Sequence, residues 1–142
     1  QSMSASSLHN PSFQPLGKPP TLSSGVTVPL SPGYRAGDLL FTSGQLAFNA
    51  NGSLDPNTDT REQTLQCLAN AEAVLSQAGA DRSQIFKASV WLTADADFGE
   101  FNAGWAEFFG DHYPARSTVR SELMLPGALV EIEVIAYIGT SK

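Results

Sequence analysis

From Leu129 to Ile138 the chain alternates without a break: Val130, Ile132, Val134, Ala136 and Ile138 fall on one side, Glu131, Glu133, Ile135 and Tyr137 on the other. A period of two is the signature of an extended strand. The first side is wholly apolar and needs a covering layer of helices or a second sheet. The second side sets a sharper condition. Carboxylates on so apolar a strand cost several kcal/mol if buried without partners, so that side is either wet or meets cations.

Two amphipathic segments can supply the cover. Asp59 with Glu62 three residues on has capping-box spacing, Leu65, Leu68, Ala71, Leu75 and Ala78 form an apolar stripe, and Gly79 supplies a stop. Cys67 lies within this helix with no base near it in sequence and reads as packing. A second helix opens at Asp97 with Glu100 at the same spacing; Phe98, Phe101, Trp105 and Phe108 are its expected buried stripe, and Gly110 closes it. Strands are expected at Gly25–Leu30 (a short edge), Asp38–Ser43 with a continuation through Gln45–Phe48, Ile85–Thr93, Arg116–Leu123 and Leu129–Ile138. In Ile85–Thr93, Phe86, Ala88, Val90 and Leu92 are expected to share a face. Ser31-Pro32-Gly33 reads as a break, and Asn49–Asp59 as turns. Helices interspersed among these strands predict an α+β fold, one mixed sheet with two helices on one face.

Residues 1–24 are rich in Ser, Pro, Gly and Asn and are expected to be a flexible N-terminal arm, dispensable up to about Thr21, with 25–142 forming one domain. Gln1-Ser2 ahead of Met3 is read as a cloning remnant, and His9 as a solvated arm residue. At 142 residues the chain has room for one core. Only 15% of residues are charged, a neutral surface that points towards an oligomer. The net charge of −6 and the scatter of 8 basic residues argue against nucleic acid as partner. A single cysteine and two histidines leave no metal-ligand cluster to expect. No stretch has membrane-spanning length and no signal-peptide core precedes the arm, so a cytoplasmic protein is expected.

Cations suited to the acidic side sit on the preceding strand, where Arg116, Thr118 and Arg120 share one face. For Arg120 the expected role is an ion pair with Glu133 on a neighbouring strand. Arg116 follows Tyr113-Pro114-Ala115, where a loop enters the sheet, and a guanidinium held there can grip a carboxylate bidentately. Thr42-Ser43-Gly44-Gln45 is a second candidate: glycine at a strand end admits a ligand close to the backbone and free N–H groups there can bind an anion, although on the tetrapeptide alone an ordinary bulge is the better explanation.

These pieces together resemble the YjgF/RidA family: Gly37-Asp38-Leu39-Leu40-Phe41-Thr42-Ser43-Gly44-Gln45, Asp97-Phe98 followed by Asn102, Tyr113-Pro114-Ala115-Arg116-Ser117, Leu129-Val130-Glu131-Ile132-Glu133, and the helix Gln63–Gly79 with Asn70. The likeness spans about residues 25–138. It implies a chorismate-mutase-like fold and a homotrimer with three clefts between subunits, whose centre would cover the Glu131/Glu133 face. It implies further that Arg116 holds a substrate carboxylate, helped by the Gly44 N–H beside Ser43, that Asn102 and Thr118 line the pocket, and that Glu131 positions water.

The implied reaction is cofactor-independent: a 2-imino or enamino acid of the 2-aminoacrylate type becomes a 2-keto acid and ammonia. The alternatives are a pathway-specific aminoacrylate or aminomuconate deaminase, or a non-enzymatic trimer binding small carboxylates such as 2-keto acids. Retention of both Arg116 and Glu131 favours an enzyme. Two positions depart from the family. Its Gly-Pro-Tyr segment is Ser31-Pro32-Gly33-Tyr34 here, only nine residues before Ser43, and its cysteine two residues beyond the arginine is Thr118. Substrate preference is where such changes act.

Overall fold

The computed structural model describes residues 12–139. The chain runs β1 (Phe13–Leu16), β2 (Gly33–Ala36), β3 (Leu39–Thr42), α1 (Thr60–Ser76), β4 (Ile85–Leu92), α2 (Phe98–Phe109), β5 (Ala115–Arg120) and β6 (Val130–Tyr137). One six-stranded sheet has the order β1-β2-β3-β6-β4-β5, antiparallel except for the β4–β5 pair. This is the expected α+β layer. Val130, Ile132, Val134 and Ala136 are buried beneath Cys67, Leu68, Ala71 and Leu75 of α1 and Phe101 of α2. Among the described residues no helix is long and apolar enough to cross a membrane.

The two helix starts lock together. In α1 the capping box is complete: the Glu62 N–H donates to Asp59 Oδ1 at 2.8 Å, and Glu62 Oε1 accepts from the Asp59 N–H at 3.0 Å. In α2 the Glu100 N–H donates to Asp97, but the Glu100 carboxylate turns away and accepts from the Thr60 N–H of α1 at 3.0 Å. Thr60 answers by accepting the Asp97 N–H on its hydroxyl, also at 3.0 Å. Free N–H groups at both helix starts are thereby satisfied from the other helix. Gly104 keeps the crossing tight, since a methyl group there would press on the Arg61 carbonyl and on Thr64.

Several expectations are corrected. Residues 13–16, read as arm, form β1 paired along β2, and Leu16 is buried. The rest of the arm reading, for residues 1–11, lies outside the described residues. Gly25–Leu30 is not a strand and keeps only the bridge Thr21↔Thr27; the edge is supplied by residues earlier in the chain. Gly33, read as part of a break, opens β2, where a side chain would collide with the Phe41 carbonyl and Val74. In β4 a bulge falls between Ile85, opposite Ala136, and Lys87, opposite Ile135. Ile85 therefore takes the core position and Phe86 is 45% exposed. Phe98 is also exposed, and Phe109 joins Phe101, Trp105 and Phe108 in the core instead.

Because β1 protects the β2 edge and brings Leu16 into the core, removing residues 1–17 should lower Tm by roughly 5 °C or more. An unchanged Tm in a thermal melt would mean that β1 contributes nothing to the fold.

Candidate active site

The ladder settles which side chains share a face. Val130, Ile132 and Val134 of β6 lie opposite Leu92, Val90 and Ala88 of β4, all buried under the helices. In the parallel β4–β5 pair, Ala88 faces Arg116, Val90 faces Thr118 and Leu92 faces Arg120. Arg116, Thr118 and Arg120 are therefore on the helix side. Glu131 and Glu133, opposite Trp91 and Ser89, are on the other.

Arg116 is held over two rings of α2, with Cζ 4.9 Å from the Phe101 centroid and 5.0 Å from that of Trp105. It lines a hollow of about 300 Å³ with Asn102, Trp105, Ala106, Tyr113 and Pro114. Burial pulls its pKa below the usual arginine value, yet a guanidinium starting so high stays charged at neutral pH. Among the described residues it has no hydrogen-bond or ion-pair partner, so its planar fork is oriented and unspent. Asn102 shares this hollow, while Thr118 lines the next one along β5 with Phe98 and Arg120.

The second half of the site arises where the β3–β6 ladder breaks. Pairing runs to Phe41↔Ile135, after which the Val134 N–H donates to the Thr42 hydroxyl at 3.0 Å in place of a backbone carbonyl. It resumes at Gln45↔Ile132, with backbone bonds of 2.7 and 3.0 Å. Four residues of one strand thus span three of the other, and Ser43-Gly44 bulges outward. The Ser43 N–H donates to the Pro32 carbonyl at 2.8 Å, and its hydroxyl to the Ser31 carbonyl at 2.6 Å. Gln45 Nε2 donates to the Ser43 carbonyl at 3.0 Å. Glu131 lies directly against Gly44, where a methyl group would overlap its carboxylate. Among the described residues the Gly44 N–H donates to no acceptor. Burial, and secondarily the charge of Glu133, push the Glu131 carboxyl above the usual glutamate range, which makes it a better base.

Two residues named only as part of the family-like helix prove to be positioning residues. Asn70 Nδ2 donates to the Leu46 and Phe48 carbonyls at 3.0 and 2.9 Å, fixing the segment that leaves Gly44. Gln63 is buried; its Nε2 donates to the Gly127 carbonyl at 3.0 Å and its Oε1 accepts the Leu129 N–H at 2.8 Å, fixing the approach to Glu131. The readable signal was their spacing: polar amides seven residues apart lie on one face of a helix.

Other expectations resolve differently. The Arg120–Glu133 pair does not form, because β4 separates the strands and the two side chains lie on opposite faces. Tyr34, stacked edge-on to Phe13, lies two strands away from β6 at the register of Ile135, four residues along that strand from Glu131. Cys67 is buried and donates to the Val130 carbonyl at 3.4 Å, and burial drives its thiol pKa far up, as packing requires. Among the described residues no group of three or more His, Cys, Asp or Glu is arranged to hold a metal ion.

Residues 23–138 match the family described as endoribonuclease L-PSP. The chain is 39% identical over 112 residues to a RutC family protein, y4sK, of Sinorhizobium fredii, covering 78% of this chain and 88% of that one. Its fold is similar to that of the Rid family protein YyfA from Yersinia pestis (TM-score 0.76, 34% identity, 89% and 99% of the two chains). It is also similar to E. coli TdcF with bound serine (TM-score 0.74, 29% identity, 87% and 98%). An α+β sheet carrying the Ser-Gly bulge, the Pro-Ala-Arg strand entrance and the Glu-x-Glu strand defines the class, and the chain belongs to the YjgF/RidA family.

A glutamate whose pKa is raised on folding binds its proton more tightly in the folded state, so its ionisation removes stability as pH rises above the ordinary glutamate range. Glu131→Gln should therefore raise Tm at pH 7, and the gain in Tm should shrink as pH falls through about 4, below which both states are protonated. Equal or lower Tm at pH 7 would mean that the carboxylate is not strained by its site.

Proposed function

We propose that this chain is a cofactor-independent deaminase that hydrolyses 2-imino and enamino acids to 2-keto acids and ammonia, in clefts shared between neighbouring copies of a homotrimer. The observation that carries the reading is the separation of Arg116 and Glu131 on opposite faces of one sheet. A single chain cannot apply both groups to one small molecule. A neighbour presenting its Arg116 edge to the Ser43–Gly44–Glu131 face would complete the constellation. The face around Glu131 also carries exposed Phe13, Tyr34, Phe41 and Tyr137, an apolar surface that a symmetric assembly would cover. That TdcF is described with bound serine supports a small amino-acid-like ligand.

In this scheme Arg116 grips the substrate carboxylate, Asn102 borders it, and the free Gly44 N–H offers a donor to the same anion. An enamine accepts a proton at its β carbon to become the imine. Water adds across C=N while ionised Glu131 takes one of its protons. The same carboxyl returns that proton to the nitrogen, then takes the proton of the new hydroxyl and passes it to the departing nitrogen as the C–N bond breaks, so that ammonia leaves a 2-keto acid. Orientation and one well-placed base are what this asks of the protein. The family description names an endoribonuclease, but a net charge of −6 opposes approach of a polyanion, which weighs against that role here.

Arg116→Ala should cut kcat/KM for imines generated in situ by at least about a hundredfold, because a charge-assisted bidentate contact is lost in the transition state. Arg116→Lys should recover only part, since an ammonium cannot reproduce the fork. Light scattering on both variants should give about three times 15.1 kDa, separating loss of chemistry from loss of assembly. Full activity in Arg116→Ala would sink the mechanism.

A further inference from the structure

The chain has five arginines, and three are engaged. Arg35 donates to the Gly37 carbonyl, Arg61 pairs with Glu107, and Arg82 pairs with Glu72 and donates to the Phe108 carbonyl. The remaining two, Arg116 and Arg120, have no hydrogen-bond or ion-pair partner among the described residues. Both lie on β5, four residues apart on the same face, with small, uncharged Thr118 between them. In a chain of 14 acidic and 8 basic residues, two idle guanidiniums aligned on one strand face stand out from ordinary surface charge.

The space beside Arg120 is also shaped. A hollow of about 300 Å³ is lined by Leu92, Ala96, Phe98 and Thr118 together with Arg120. Thr93 lines it too, and its hydroxyl oxygen is buried with no hydrogen-bond partner among the described residues. An unpaired cation bordering an apolar hollow offers a partner to one end of an anion whose body is apolar. The apolar walls between Thr118 and Phe98 suit methylene groups rather than a second charge.

We propose that β5 carries a second carboxylate subsite, so that the favoured substrates are 2-imino dicarboxylic acids held at the α-carboxylate by Arg116 and at the distal carboxylate by Arg120. This rests on the deaminase reading above. Their Cα atoms stand about 13 Å apart along four residues of strand, and guanidinium side chains leaning towards each other over Thr118 can shorten that gap to the span of a short diacid. Arg120 also lines a second hollow together with Asp95 and Glu122, whose charges oppose a longer anion.

The test compares 2-iminoglutarate with 2-iminobutyrate, both generated in situ by an amino-acid oxidase, on the intact protein and on Arg120→Ala. The ratio of the two kcat/KM values should fall at least about tenfold in the variant, from loss of one charge-assisted contact, and Arg120→Lys should restore part of it. Calorimetry with 2-oxoglutarate and 2-oxobutyrate supplies an arm independent of turnover: the preference for the diacid should disappear in Arg120→Ala. If the intact protein hydrolyses neither imine yet binds the diacid preferentially through Arg120, the deaminase reading fails and the subsite stands. If Arg120→Ala moves neither the ratio nor the binding preference, Arg120 is a solvated surface charge and the subsite is overturned.

Discussion

Strand β6 is bound on both flanks, to β3 and to β4, and its register with each is set residue by residue. A one-residue slip would exchange its Val/Ile face for its Glu face. Burying Val130, Ile132, Val134 and Ala136 under the helices therefore decides where Glu131 and Glu133 go. The same alternation passes through β4 into β5 and puts Arg116 on the helix side. Hydrophobic burial on one face thus dictates that the candidate base and the candidate carboxylate grip point away from each other.

Polar contacts then refine what burial has arranged. Thr42 breaks the β3–β6 ladder by accepting the Val134 N–H on its hydroxyl, which frees Ser43-Gly44 to bulge against Glu131. Asn70 and Gln63, both on α1, tie down the chain on either side of that bulge and carboxylate. The interlock of Thr60 with Asp97 and Glu100 pins the start of α2, and so the rings over which Arg116 lies. Each of these groups is partnered, so the site is held by satisfied hydrogen bonds rather than by strain.

Much of this was legible in the chain. The β6 alternation and the capping boxes located the last strand and both helices, and the motif residues named the groups that make up the candidate site. What was hidden depended on pairing between distant segments. Alternation in Arg116–Arg120 could not reveal that β4 intervenes before β6, so the Arg120–Glu133 pair was a reasonable but wrong inference. The bulge that turns Phe86 outward leaves no local trace, because Ile85 and Phe86 are equally apolar. Residues 13–16 look like arm because Pro15 and their neighbours carry no period; they become a strand only because β2 offers an edge.

The central claim is that one site is built from Arg116 of one copy and the Ser43–Gly44–Glu131 face of another. Refolding an equal mixture of Arg116→Ala and Glu131→Gln chains, each expected to be impaired alone, tests it most directly. In a randomly assembled trimer about a quarter of the clefts would join an intact Arg116 to an intact Glu131, and roughly that share of wild-type turnover should return. A co-assembled mixture no more active than either parent would contradict a site shared between copies.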